Sequence, residues 1–369
     1  MTLKQKIKNL LKGLPNKVKI GRTYLGYERP VFIIAEIGIN HNGNLSTAKK
    51  LIMEAKKSGA NAVKFQKRNP EEILIKEWLE MPYNSPNAFA PTYGEHKKKL
   101  EFSAKQYKEL KDYASKVGIL FFASVWDFIS ADFMEKLEVD AYKIPSADLI
   151  NLPLLKYVAK KDKPVLISTG MNTLEEIDEA VKTILRENYR LAIFHCVSLY
   201  PCEDEKVNLS FMNVIKNRYK PLPFGYSGHE MGYLPTLAAV SMGAHIIERH
   251  FTLDKTMRGS DHSASLEPKE LKELIDEIKR IEKIQGEPKK IMFKELKPIR
   301  EKLAKSIASK VKIKKGIVIT ADMVCVKGPG SGIKPALMRD LIGKVAQADI
   351  PKDKIIPLEA LRWPRRWLI

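Results

Sequence analysis

Eight apolar runs of strand length, each followed by an amphipathic helical run, predict an α/β fold: a closed (β/α)8 TIM barrel with a small β-rich domain behind it. The runs lie at 31–39, 61–66, 119–125, 140–146, 164–169, 191–198, 223–228 and 245–251. The stretches between them carry helix start signals. An open doubly wound sheet is the other fold built on this alternation, but no Gly-x-Gly-x-x-Gly turn opens the first helix here.

The opening "MTLKQKIKNLLKGLPNKVKIG" has lysines but neither the long apolar core nor the small-residue cleavage site of a secretory signal, so it reads as an N-terminal extension. The first strand, within "FIIAEIGINHNG", buries Glu36 among isoleucines, and an uncompensated buried carboxylate is costly unless paired or used. From Lys67 to Leu100 a long connection follows the second strand, and inserts at that end of a barrel tend to cover the site. Ser103 with Gln106 and Thr173 with Glu176 have capping-box spacing, and Ser130 is expected to cap the helix after the third strand. The helical pattern over 267–285 ends at Gly286. These signals place the barrel with its extension over 1–290, a charged, proline-punctuated linker over 291–304, and a β-rich domain over 305–369.

Composition narrows the function. An apolar share of 44% fits a globular chain, and no uninterrupted apolar segment has the length of a membrane span. Three cysteines, Cys196, Cys202 and Cys325, fit a reducing cytoplasm, and Cys196 with Cys202 lacks the companion thiols of a metal site. Lys and Arg number 64 against 44 Asp and Glu. Most of the excess is lysine interleaved with glutamate along helices, which is the pattern of a solvated helix surface. No RNA-binding signature or Arg-rich arm accompanies it, and the basic, aromatic "RWPRRWLI" at the end is short, so neither nucleic acid nor membrane is expected as a partner.

The strand ends are more telling. In a barrel they converge on one face, with inward and outward side chains alternating. Here they carry Glu36; Lys64 and Gln66; Ser124; Lys143 and Ser146; Ser168 and Thr169; His195, Ser198 and Tyr200; Ser227 and His229; and Glu248 and His250. Packing alone does not explain so many polar groups. Two lysines with several hydroxyls suit a phosphate or carboxylate, and two histidines on adjacent strand ends suit a divalent metal. An anionic substrate beside a polarised carbonyl points to carbon–carbon bond formation or cleavage. His245, at a strand start, reads as structural, and Cys196 as core. His41, His96 and His262, on loops, are open to either reading.

The segments "FIIAEIGINHNG", "VKFQ", "YKIPSAD", "ISTGM", "HCVSLYP", "GYSGHE" and "IERHFTLDKTMRGSDHSASLEP" occur in the order in which they stand in sialic acid synthases, and the chain resembles that family over about 20–365. The tail from about Ser306 is similar to the family's antifreeze-like (SAF) domain. The resemblance implies condensation of phosphoenolpyruvate with N-acetylmannosamine or its 6-phosphate, and a domain-swapped homodimer. His229 and His250 match ligands of a divalent metal, usually Mn2+, with Mg2+ or Co2+ as substitutes. Lys64, Lys143, Ser124, Ser146, Ser168 and Ser227 match phosphoenolpyruvate contacts. Ser198 stands where some bacterial members have asparagine. Gln66, Tyr200 and Asp261 match sugar contacts, and Glu36 matches a glutamate near both reacting groups. Bacterial members carry a tail arginine where this chain has Gly328 beside Lys327, so either Lys327 substitutes for it or the tail contributes less to the sugar. The rivals are a legionaminic or pseudaminic acid synthase using a 6-deoxy diacetamido sugar, and a non-catalytic carbohydrate- or ice-binding protein. Intact Lys64, Lys143, His229 and His250 argue against the last.

Overall fold

The computed structural model describes residues 2–361, which fall into two compact units divided between Gly286 and Glu287. The terminal "RWPRRWLI" lies outside the described residues.

The first unit opens with a helix, Leu3–Leu11, and a hairpin of β1 (Lys17–Ile20) and β2 (Thr23–Gly26). The hairpin packs at the strand-start end of the barrel: Gly21 approaches Leu120 and Asp140, and Gly26 approaches Pro223. The barrel follows as β3 (Phe32–Gly38), β4 (Ala62–Lys67), β5 (Leu120–Val125), β6 (Tyr142–Ile144), β7 (Val165–Ser168), β8 (Leu191–Cys196), β9 (Phe224–Gly228) and β10 (Ile246–His250). All are parallel, each pairs with the next, and β10 closes on β3 with His250 opposite Glu36. The strands are buried on both faces, which is why they read as near-continuous apolar runs.

The capping boxes at Ser103/Gln106 and Thr173/Glu176 both form. Ser130 does not cap its helix. Asp127 does, accepting from the Ser130 amide at 2.6 Å, because the helix starts one turn earlier, at Phe128. β6 is shorter than 140–146 because Pro145 ends it and a 3-10 turn, Ser146–Asp148, follows. The long connection after β4 folds as three short helices, Pro70–Ile73, Lys76–Glu80 and Tyr93–Lys99.

In the second unit β11 (Ser306–Ser309) pairs antiparallel with β12 (Val324–Lys327). Ile307, Ile313, Ile319, Ile333, Leu341 and Ile356 form a core of its own. Its leading helix, Leu296–Leu303, buries none of its residues.

Candidate active site

Every residue matched to a family site except Lys327 lines a single cavity of about 250 Å³ at the C-terminal ends of the barrel strands, and of the strand-end polar groups only Thr169 and His195 stay outside it. Alternation along the strands does this: Glu36, Lys64, Ser124, Lys143, Ser168, Ser227 and Glu248 all take inward positions. Lys327 lies in the second unit, exposed and ion-paired with Asp353.

The floor is a buried charge cluster. Lys64 Nζ lies 2.9 Å from Glu36 Oε1, 3.6 Å from Glu248 Oε1 and 2.7 Å from Ser124 Oγ, to which it donates. Lys143 Nζ donates to both oxygens of Glu248, at 2.9 and 3.0 Å. Burial alone would lower the pKa of each lysine. Lys64, with two carboxylates beside it, ends above its ordinary value, whereas Lys143 has only Glu248, which it shares with Lys64, and ends below. Burial would raise Glu248, but Lys143 and Lys64 outweigh it and hold the carboxyl ionised.

The cluster is not saturated. Gln66 Nε2 donates to Glu36 Oε1 at 3.1 Å, so Oε1 is engaged twice, while Glu36 Oε2 is buried with no hydrogen-bond partner. Ser168 Oγ is likewise buried and unpartnered. β3 bulges between Glu36 and Gly38, whose φ of 54° only glycine adopts cheaply, and the site keeps its room there. Ser146 Oγ accepts from the Gly170 amide at 2.9 Å and sits 3.4 Å from Cys196 Sγ. Gly170 is not in the left-handed region, yet a Cβ there would overlap Ser146 Oγ, Cys196 Sγ and Ser198 Oγ.

The two histidines meet above the floor. Their ring centroids lie 5.3 Å apart, with Tyr200 packed 4.0 Å from His229 and edge-on to His250. His229 Nδ1 sits 2.8 Å from the Val197 carbonyl, which only accepts; Nδ1 therefore carries the proton and Nε2 the lone pair. Burial, then neighbouring His250, lowers the His229 pKa to about 3. His250 Nδ1 is buried without a hydrogen-bond partner, Asp261 Oδ2 standing 3.5 Å away. Among the described residues no group of three or more His, Cys, Asp and Glu converges as a complete metal cage. Two imidazoles with free ring nitrogens fit a divalent ion that leaves its other positions to water or substrate.

Several expectations need correction. His195 points out of the barrel, its Nε2 2.8 Å from the Val207 carbonyl, because Cys196 takes the inward position; Cys196 is thus a cavity wall rather than core. β8 ends at Cys196, so Ser198 and Tyr200 reach the cavity from the loop beyond. His41 accepts from the Gly43 amide and stacks on Phe102; His96, inside the helix Tyr93–Lys99 rather than on a loop, accepts from the Phe89 amide; and His262, opening a 3-10 turn, bonds Thr252, so all three serve local structure. His245 sits between Tyr27 and Phe224 at the strand-start end, a structural place. Arg68 and Lys97 also line the cavity and were not anticipated. Arg68 continues the Lys64, Gln66 alternation by two further residues, a signal available in the sequence; Lys97 carries none.

Residues 51–290 match the NeuB family and residues 304–362 the SAF domain. The chain is 42% identical to N-acetylneuraminate-9-phosphate synthase of Homo sapiens over 90% of its own length and 93% of that protein. It is 39% identical to N,N'-diacetyllegionaminic acid synthase of Campylobacter jejuni, over 89% of this chain and 99% of that one. The crystal structure of N-acetylneuraminic acid (sialic acid) synthetase from Leptospira borgpetersenii in complex with citrate superposes with a TM-score of 0.70 at 35% identity, covering 78% of this chain and 96% of that one. The chain therefore belongs to the NeuB family, the sialic acid synthases, and joins that family's barrel to a SAF domain.

Proposed function

We propose that the chain condenses phosphoenolpyruvate with N-acetylmannosamine or its 6-phosphate, releasing phosphate by C–O cleavage and forming a nine-carbon sialic acid. The observation that supports this most is the meeting of Lys64, Lys143, four serines, Glu36 and two histidines in one cavity. The ammonium groups of Lys64 and Lys143 would neutralise the carboxylate and phosphate of phosphoenolpyruvate, with Ser124, Ser146, Ser168 and Ser227 donating around them. Gln66, Tyr200 and Asp261 would hold the open-chain sugar above, its aldehyde facing the alkene. The alkene carbon attacks the aldehyde carbon, positive charge develops on the next carbon, water adds there, and the tetrahedral centre expels phosphate. Glu36 Oε1 is engaged by Lys64 and Gln66, so Oε2 is the atom that faces the developing charge or takes the proton of the attacking water. His229 and His250 would hold a divalent cation, Mn2+ in this reading, which when bound supplies Lewis-acid polarisation of the sugar carbonyl.

A homodimer belongs to the same reading, supported by the apolar stretch at the start of the second unit. Ile291, Met292, Phe293, Leu296, Ile299 and Leu303 stand exposed there, more than a solitary surface needs. A cytoplasmic setting is supported by three free cysteines, and no described helix is long and apolar enough to cross a membrane. The likeness to the Campylobacter jejuni protein keeps a 6-deoxy diacetamido acceptor as the second reading.

The test is phosphate release from phosphoenolpyruvate with Mn2+ and a panel of acceptors: N-acetylmannosamine, its 6-phosphate and a 6-deoxy diacetamido sugar, with and without chelator. Release with one of the first two, abolished by chelator, is the expected result. No release with any sugar overturns the synthase reading, and undiminished release in chelator overturns the metal.

A further inference from the structure

The two cavity histidines stand at the ends of neighbouring strands, and each has a charged residue next to it in sequence that stays out of the cavity. His229 is the first residue past β9 and Glu230 follows it; His250 is the last residue of β10 and Arg249 precedes it. Both histidines line the cavity, and neither Glu230 nor Arg249 does, as alternation at a strand end requires. On the far side of the strands the two charged residues meet. Arg249 Nη1 donates to Glu230 Oε1 at 2.7 Å and Nη2 to the Glu230 carbonyl at 2.8 Å, both side chains being fully buried. One guanidinium thus grips both the side chain and the backbone of the residue that follows His229.

The contacts continue into the segment beyond. Arg249 Nη1 also donates to the Gly232 carbonyl at 2.8 Å and to Thr236 Oγ1 at 2.9 Å, on the helix Leu234–Ser241. Thr236 in turn donates to Glu230 Oε1, and Tyr226, on β9, donates to Oε2, each at 2.8 Å. Gly228 makes the fold-back possible, since a Cβ there would overlap both carboxylate oxygens of Glu230. The far side of His229 is fixed separately, its Nδ1 at the Val197 carbonyl and its own carbonyl accepting from the Cys202 amide at 2.9 Å. The His250 ring has less support: Nδ1 has no hydrogen-bond partner, while its carbonyl accepts from the Leu266 amide at 2.8 Å. Its place therefore leans on its backbone, and Arg249 ties that backbone to the segment carrying His229.

We infer that Glu230 and Arg249 are positioning residues for a divalent cation: their pair sets the separation of His229 and His250, and with it the affinity and coordination geometry of an ion held between them. The inference rests on the reading that these histidines bind a metal. Glu230 and Arg249 act through the strand ends and leave the ligand positions to the imidazoles. A site with two protein nitrogens has few other constraints, so loosening the pair lets the two rings drift apart.

The experiment titrates metal-free, full-length protein with Mn2+ by calorimetry, without substrate, and records the visible spectrum of the Co2+ form, which reports coordination geometry. Arg249→Lys keeps the charge and loses the fork; Mn2+ affinity is expected to fall about tenfold or more, and the Co2+ bands to shift. Thr236→Val, distant in sequence from both histidines, gives a smaller loss in the same direction, and decides alone if Arg249→Lys does not fold. Asp178→Asn is the control for lost stability. Asp178 is buried between Arg218 and Tyr219 and lies off the cavity, so its loss lowers Tm and leaves affinity and spectrum as in wild type. Weaker Mn2+ binding by Arg249→Lys, in a protein that turns over no sugar, keeps the positioning role and removes the synthase reading. Three results overturn the inference: variants that bind Mn2+ as tightly as wild type, a loss of affinity that Asp178→Asn matches at equal loss of Tm, or a wild type that takes up neither ion.

Discussion

Two buried carboxylate–cation clusters lie within a few residues of each other in the barrel and do opposite things. Glu230 and Arg249, both 1% exposed or less, form the first. Glu230 Oε1 accepts from Arg249 Nη1 at 2.7 Å and Thr236 Oγ1 at 2.8 Å, and Oε2 from Tyr226 at 2.8 Å. Arg249 also donates to the carbonyls of Gly232 and Glu230. Both carboxylate oxygens are engaged, and the unpartnered atom of this cluster, Arg249 Nε, is not on the strand-end cavity, so the cluster has nothing to offer a ligand there. The second cluster, Glu36, Lys64, Glu248 and Lys143, leaves Glu36 Oε2 empty and shares one carboxylate between two lysines. What separates a structural buried pair from a reactive one is spare hydrogen-bonding capacity facing a cavity, because burial and charge are alike in both.

Substitutions sharpen this contrast. Glu36→Gln keeps the Lys64 and Gln66 contacts at Oε1 but removes the charge, and turnover is expected to fall roughly 10³-fold while Tm moves little; steady-state kinetics beside a thermal melt reads both. A variant that unfolds instead makes Glu36 a structural ion pair. Arg249→Met in the closed cluster strands Glu230 without its cation and should cost about 3 kcal/mol or more of stability, which lowers Tm by roughly 10 °C. A melt unchanged within a degree removes the distinction.

A third carboxylate, Asp148, has burial without a cation. Burial raises its pKa from 3.8 to about 6, with nearby Asp127 adding to the rise and a bond from Asn151 opposing it. The folded state therefore holds the proton more tightly than the unfolded chain. The stability this provides is complete below about pH 4 and is lost as pH rises through 6. Asp148→Asn should match wild type near pH 4 and exceed it by about 1 kcal/mol at pH 7.5, after allowance for partial exposure; denaturant melts at the two pH values decide it. Smallest is Lys327→Ala. Its ion pair with Asp353 is exposed and screened by solvent, so the denaturant midpoint is expected to stay where it is, and a clear shift gives this pair the weight of a buried one.

Much of this was legible in the sequence because the barrel converts position along a strand into position in space. Each strand-end residue whose inward phase is set by its neighbours, such as Lys64 with Gln66, reached the cavity. His195 failed for the same reason, since a phase error of one residue sends a side chain to the opposite face. Glu248 was visible as a strand-end polar group, but its pairing with two lysines from other strands depends on barrel closure, to which local pattern is blind. Lys97 lies in a connection with no period at all, and only folding brings it to Arg68.

Gly170 extends the lesson to residues that contribute nothing but room. Its backbone is one that other residues adopt, so propensity would permit alanine there, yet a methyl would overlap three polar atoms of the cavity wall. In a saturation library selected for growth, this position would be depleted together with Lys64 and His250, while Gly232 and Gly343, which meet nothing within 4 Å, would be limited by their backbone angles alone. Emptiness at that strand end therefore constrains the choice of residue as a functional group does, and a survey that scores only chemical side chains would overlook it.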